Sequence, residues 1–356
     1  MRIAWNTSRT LVHTDSLKSG RGFGGLLGGQ LLPRMAFVAA CALCLSPWAM
    51  PAVAFGLGVA LALLIGNPFQ KAGHRASKWL LQVCVVMLGF GMDLPTVLRA
   101  GAGGSLFAAG SIAATMLLGY FVGRRLKVHP KASALISAGT AICGGSAIAA
   151  VGSVISAAEG EIAVAMGTVF LLNAAALYLF PPLGHALHLS QSQFGTWAGV
   201  AIHDISSVVG ASARYGLTAL QTATAVKLSR TLWIVPVALA MAYAAGARRR
   251  PAVANSTFGF RPERASTPER QKVQVPWFVG LFLLASVARS YVPGVAAVAP
   301  MTAHVAIAGL TLALFLIGAG LSASTLKAVG WKAMVQGLLL WAFISGASLL
   351  VVMRWM

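Results

Sequence analysis

Apolar residues run along this chain in long stretches broken by short basic segments, with neither the two-residue alternation of strands nor the narrow apolar stripe of a surface helix. Windows of about 20 apolar residues, the length that crosses a hydrocarbon layer, place helices near 34 to 49, 51 to 66, 78 to 93, 103 to 122, 132 to 157, 161 to 181, 195 to 213, 219 to 245, 276 to 291, 300 to 322 and 331 to 353. The pattern predicts an all-α polytopic membrane protein with about 11 transmembrane helices. Residues 1–33 read as a basic, Gly-rich tail, and the apolar run behind them has no small-residue cleavage site, so the first helix is expected to stay in the protein. Residues 34–353 form the transmembrane domain, within which 246–275 reads as a flexible Pro/Arg/Ser-rich loop without apolar period.

Composition agrees: 58% of residues are hydrophobic and 10% charged, against roughly 25% charged in a soluble domain. The net charge of +20 would fit a nucleic-acid binder, but its placement follows membrane topology. Arg2, Arg9, Lys18, Arg21 and Arg34 precede the first span. Lys71, Arg75 and Lys78, then Arg124, Arg125, Lys127 and Lys131, then Arg248, Arg249, Arg250, Arg261, Arg264, Arg270 and Lys272, and finally Lys327 and Lys332 fill alternate loops. All share the cytoplasmic side if the N-terminus is cytoplasmic and the C-terminus is not. Nucleic acid is therefore not an expected partner, while the lipid bilayer is.

Charge within the spans is scarce. Lys227 and Arg230 lie three apart in the apolar run Ala219 to Ala245, and of seven acids only Asp204 falls inside a span. A cation at the bilayer centre costs about 2.5 to 3.5 kcal/mol on insertion scales, so such residues are functional candidates. Two cations against one carboxylate point to a site for a small anion. Arg230, with its planar fork, suits an oxyanion better than Lys227, which alternatively snorkels to the outer surface. Asp204, if ionised, needs a partner, for which Lys227 or Arg230 is the natural choice. That pair is either part of a transport site or a static tie between spans seven and eight. His203, beside it, is a candidate proton-linked switch. Ser206, Ser207 and Asn173 are candidate hydrogen-bonding groups for an oxyanion.

Two internal echoes bear on architecture. LGFGMDLPTVLRAG, from Leu88, resembles IGAGLSASTLKAVG, from Ile317, with Gly89, Gly91, Thr96 and Gly101 matching Gly318, Gly320, Thr325 and Gly330. The spans involved run in opposite directions, as in the inverted repeats of secondary transporters. AGTAICGGSA, from Ala138, echoes AGVAIHDISS, from Ala198. Spans five and seven run parallel in an eleven-span layout, so this second echo is coincidence unless one of them is re-entrant or half-crossing. Cys143, Gly144, Gly145 and Ser146 stand where a lipid-facing helix would carry Leu. Their small size serves either an unwound backbone, whose free N–H groups attract anions, or close helix packing.

The runs GNPF from Gly66, MLGFGMDL, GTAICGGSAIAA, WAGVAIHDISSVVGA and KLSRTLWIVPVAL resemble the YeiH-type family of bacterial membrane proteins, which carries a sulfate-exporter label. The likeness extends from about residue 34 to the end. It implies the inner membrane and a fold shared with the cation/proton antiporters and bile-acid/sodium symporters, in which panel and core domains flank unwound crossing helices. Cys143 to Ser146 and His203 to Asp204 would form the crossing, with Lys227 and Arg230 as its charged support. Sodium/proton antiporters pair intramembrane carboxylates, whereas this chain has Asp204 alone.

The expected function is a secondary transporter exporting or exchanging sulfate or an organosulfonate. The competing reading is a proton- or cation-coupled antiporter with Arg230 as a tethered surrogate cation. An enzyme is not expected, since H-E-x-x-H, G-x-S-x-G and paired catalytic acids are all missing. No cofactor or metal is expected. Cys41, Cys44 and Cys84 read as small packing residues, and a homodimer is compatible with the Gly-rich helices but required by nothing.

Overall fold

The computed structural model describes residues 23–46, 49–248, 277–320 and 329–355. Its helices are α1 (Phe23–Cys44), α2 (Pro51–Leu64), α3 (Gln70–Gly89), α4 (Leu94–Leu126), α5 (Pro130–Ala141), α6 (Gly145–Val154), α7 (Glu159–Ala186), α8 (Gln191–Ala201), α9 (Ile205–Tyr215), α10 (Leu217–Thr231), α11 (Ile234–Arg248), α12 (Trp277–Tyr291), α13 (Val295–Ala319) and α14 (Trp331–Trp355). α1 starts within the segment read as a tail. Residues 1–22, most of the expected loop (249–276) and part of the second member of the first echo (321–328, including Thr325) lie outside the described residues.

Large apolar side chains point outward, among them Leu64, Met35, Met301 and Leu350, while Thr115, Thr168, Ser286, Gln336 and Ser348 are buried. That inversion follows from lipid as solvent, where helices are held by close packing of small residues and by hydrogen bonds. α2 and α13 meet backbone to backbone: a Cβ on Gly58 would press on the Phe315 carbonyl, and one on Gly318 on that of Phe55. α3 packs on α12 and α13, with the Ser286 hydroxyl donating to the Gly89 carbonyl at 3.2 Å. In a second group, α4, α5 and α14 are tied by Gln336, whose Nε2 donates to Ser133 Oγ at 2.8 Å and reaches the Gly119 carbonyl at 3.2 Å.

Spans five and seven both depart from expectation by doubling back. In α5 and α6 a Cβ on Gly139 would stand 2.9 Å from Ile148, and one on Gly152 3.6 Å from Leu135. Lys131 Nζ at the start of α5 donates to the Ser156 carbonyl just past α6 at 2.7 Å. Residues this far apart in sequence meet only if the helices lie antiparallel. α8 and α9 do the same: the rings of Phe194 and Tyr215 stack 3.8 Å apart, and Tyr215 Oη donates to the Leu189 carbonyl at 2.6 Å. Thr218 N at the start of α10 donates to Gln191 Oε1 at 3.0 Å, returning the chain to where α8 began.

Each segment is therefore a helical hairpin with its tip at 142–144 or 202–204. The 28 residues of α7, about 42 Å at 1.5 Å per residue, carry the chain from the mouth of the first hairpin to the mouth of the second. α5 and α8 thus enter from opposite ends of the molecule. The second echo, whose direction conflicted with straight spans, fits two hairpins.

In a cysteine-free background, Arg125→Cys and Ala158→Cys should react with an impermeant maleimide from one side of the membrane, and Ser192→Cys and Leu217→Cys from the other. Opposite-side labelling of Arg125→Cys and Ala158→Cys would exclude the first hairpin. The first tip also turns on Gly144, at φ 66 and ψ −124. An L side chain there costs about 1–3 kcal/mol, whereas a Cβ on Gly145 meets the flexible Met166 sulfur at 3.3 Å and the Phe170 ring edge at an ordinary 3.5 Å. Gly144→Ala should lower the melting temperature in detergent clearly more than Gly145→Ala.

Candidate functional site

Breaking a helix at depth frees backbone groups that lipid cannot satisfy. At the first tip, α5 ends on the carbonyls of Ala141 and Ile142. Arg230 Nη2 donates to Ala141 O, Lys227 Nζ to Ile142 O at 3.3 Å, and Arg230 Nη1 to Ser111 Oγ at 2.9 Å. Both side chains are 1% exposed, so Lys227 does not snorkel. At the second tip, Asp204 caps α9: its Oδ1 accepts from Ser207 N at 3.1 Å and its Oδ2 from the Ser206 hydroxyl. Asn173 Oδ1, from α7, accepts from His203 N at 3.0 Å.

No ion pair joins Asp204 to Lys227 or Arg230 among the described residues, contrary to the expected pairing. Each charge instead rests on a helix end of opposite partial sign, the carboxylate on the N-terminus of α9 and the cations on the C-terminus of α5.

The tips touch. A Cβ on Gly144 would lie 3.4 Å from Asp204 Cβ and from Val169 Cγ1. Cys143, Ser206, Ser207, Asn173 and His203 are buried, Asp204 and Gly145 half-buried, and Ser146 exposed. The structure thus gathers the candidates of both tips around one junction, with Ser146 facing outward from α6, whose N-terminus has no side-chain cap. Beside the junction a small cavity is lined by Phe55, Phe170, Asn173, Ala174, Asp204, Ser207 and Ile317. Phe55 and Ile317 come from α2 and α13; the rest belong to α7 and the second hairpin. Several buried polar atoms here have no partner: Thr140 Oγ1, Asn173 Nδ2, both His203 ring nitrogens and Arg230 Nε. Such orphans are uncommon in a folded protein and mark places where water, an ion or a ligand belongs. Among the described residues no group of three or more His, Cys, Asp or Glu side chains is placed to hold a metal ion.

Sequence reasoning missed Ser111, which lies among the small residues of α4 and carries no distinguishing signal. It also missed Phe55, Phe170 and Ile317, ordinary apolar residues whose role comes from the meeting of separate helices.

These features define a polytopic helical membrane protein with two hairpins meeting tip to tip. The chain belongs to the family described as conserved hypothetical protein 698, whose model matches residues 30–337. It is similar to UPF0324 membrane proteins of Bacteroides thetaiotaomicron (45% identical over 306 residues, 85% of this chain and 86% of the relative) and Porphyromonas gingivalis (47% over 308 residues, 85% and 86%). The UPF0324 membrane protein of Geobacter sulfurreducens is 43% identical over 323 residues, 91% of this chain and 97% of the relative. No solved structure matches.

Hydrogen bonds to charged groups are worth about 1.5–3 kcal/mol each, and Arg230 makes two where Lys227 makes one long one. Arg230→Ala should therefore lower the detergent melting temperature well below that of Lys227→Met. The reverse order would remove Arg230 as the main tie of the first tip.

Proposed function

We propose that the protein is a secondary transporter, without a catalytic step, that exports or exchanges a small oxyanion, sulfate or an organosulfonate, across the bacterial inner membrane. The observation that carries this reading is the pair of hairpins entering from opposite ends and meeting at buried Lys227 and Arg230, with Asp204 alone to oppose them. Non-helical backbone is tolerated at membrane depth where it is buried in protein or lines a cavity, and transporters aim half-helix N-termini at anionic groups there. The N-terminus of α6, with the Gly145 and Ser146 amides and the Ser146 hydroxyl, would supply donors; Asn173, Ser206 and Ser207 complete the polar lining.

Alternating access would move the hairpins with α7 and α10 against a panel of α2, α3, α12 and α13, the cavity lying on the boundary. In this reading α3–α4 corresponds to α13–α14, and α5–α6–α7 to α8–α9–α10, as an inverted repeat. His203, with unpartnered ring nitrogens, and Asp204 would couple the movement to protons. The N-terminus is cytoplasmic and the C-terminus periplasmic, as the basic loops require. The partners are lipid and the anion, and a second copy of the chain is optional.

A cation-coupled antiporter is the second reading, favoured by where Arg230 and Lys227 sit. Their cationic groups lie on helix-end carbonyls, a position in which transporters also coordinate a monovalent ion. Thermal shift of the detergent-purified chain separates the two. In the first reading one oxyanion among sulfate, sulfite and sulfonates raises the melting temperature, an effect lost in Arg230→Ala. In the second no anion acts, and Arg230→Ala becomes dependent on sodium or potassium for stability.

A further inference from the structure

The cavity at the hairpin junction is not lined for a simple anion. Asp204 stands in its wall half-buried, and among the described residues only the Ser207 amide and the Ser206 hydroxyl donate to it. Lys227 and Arg230 are turned onto the α5 carbonyls and do not line the cavity. An inorganic dianion placed here would meet a carboxylate before any side-chain cation. Yet the same cavity holds an unsatisfied donor. Asn173 is 2% exposed and its Oδ1 accepts from His203 N, which fixes the amide so that Nδ2 is the free atom, and Nδ2 has no partner. The start of α6 is near, a Cβ on Gly145 lying 3.5 Å from the Phe170 ring, although no residue of α6 lines the cavity itself. Phe170 and Phe55 supply two aromatic rings to the lining. Carboxylate and aromatic rings are what an ammonium requires, and a free amide with a helix N-terminus is what an oxyanion requires.

Resting on the transporter reading above, we infer that the substrate is a short zwitterion, an ω-amino sulfonate or amino acid. Its ammonium sits at Asp204 between Phe55 and Phe170, and its oxyanion lies at Asn173 Nδ2 and the start of α6. At about 10 Å³ the cavity has room for about one water, so a zwitterion fits only once the two groups of helices that bound it have parted.

The test compares each zwitterion with its amine-free counterpart on the full-length chain in detergent, by thermal shift and isothermal titration: taurine with ethanesulfonate, β-alanine with propionate, and inorganic sulfate throughout. At least one zwitterion should bind about ten-fold or more tightly than its counterpart and than sulfate. Asp204→Asn keeps the acceptor for the Ser207 amide, since Asn caps as well as Asp, while removing the charge and the second oxygen, which accepts from the Ser206 hydroxyl. It should abolish that preference and improve binding of ethanesulfonate or sulfate. Phe170→Leu, which leaves every polar group in place, should narrow the preference as well. Equal binding of ethanesulfonate or sulfate and taurine, unchanged in Asp204→Asn, would overturn the zwitterion while leaving the oxyanion transporter standing. If no anion or zwitterion binds and only cations stabilise the protein, both fail.

Discussion

The structure depends on how the backbone freed at two hairpin tips is satisfied away from water. A helix ended within a membrane leaves carbonyls or amides that lipid cannot pair, each at a cost of several kcal/mol. Here Ala141 and Ile142 are met by Arg230 and Lys227, the start of α9 by Asp204, and the His203 amide by Asn173. Without these partners the tips would have no reason to stop where they do. The buried charges are thus first the means by which the hairpins exist. This also accounts for two cations and a carboxylate coexisting at the junction without an ion pair, because each is compensated by peptide dipoles.

The two tips are unequally held. Two cationic side chains from α10 grip the first, and one of them continues to Ser111 on α4. Among the described residues a single neutral hydrogen bond from α7 reaches the second, where both His203 ring nitrogens lack partners. At the mouth the order is different: the second hairpin is closed by the stacked Phe194 and Tyr215, the Tyr215 to Leu189 bond and the Gln191 to Thr218 bond. The second hairpin is thus held mainly at its base and the first mainly at its tip, and hydrogen bonds to charged groups are the stronger ones.

Much of the helical layout was legible in the sequence because lipid imposes length and polarity on every crossing. The distinctive residues at 143–146, 203–204 and 227–230 were also visible, since glycine runs and charges stand out against Leu and Ala. The doubling back was not. An apolar window of 25 residues has the same composition whether it runs straight or folds on itself, and neither loop charge nor hydropathy tells the two apart. The one signal was the echo of Ala138–Ser146 in Ala198–Ser206, whose direction made sense only if straight spans were abandoned. Pairing of Asp204 with Lys227 or Arg230 was a natural expectation from charge alone. It failed because sequence shows side-chain charges but not the partial charges of helix ends, which form only once the helices break.

The division of polar groups at the junction follows from the same geometry. Carbonyl ends attract cations and amide ends attract carboxylates, so Lys227 and Arg230 are drawn to the α5 side and Asp204 to the α9 side. The cavity beside the tips lies on the α9 side and receives the carboxylate, while no residue of α6 lines it. The basic side chains that first drew attention in the sequence therefore hold the α5 carbonyls and do not line the cavity. In the zwitterion reading proposed above, Asp204 would answer the ammonium and Asn173 Nδ2 the oxyanion.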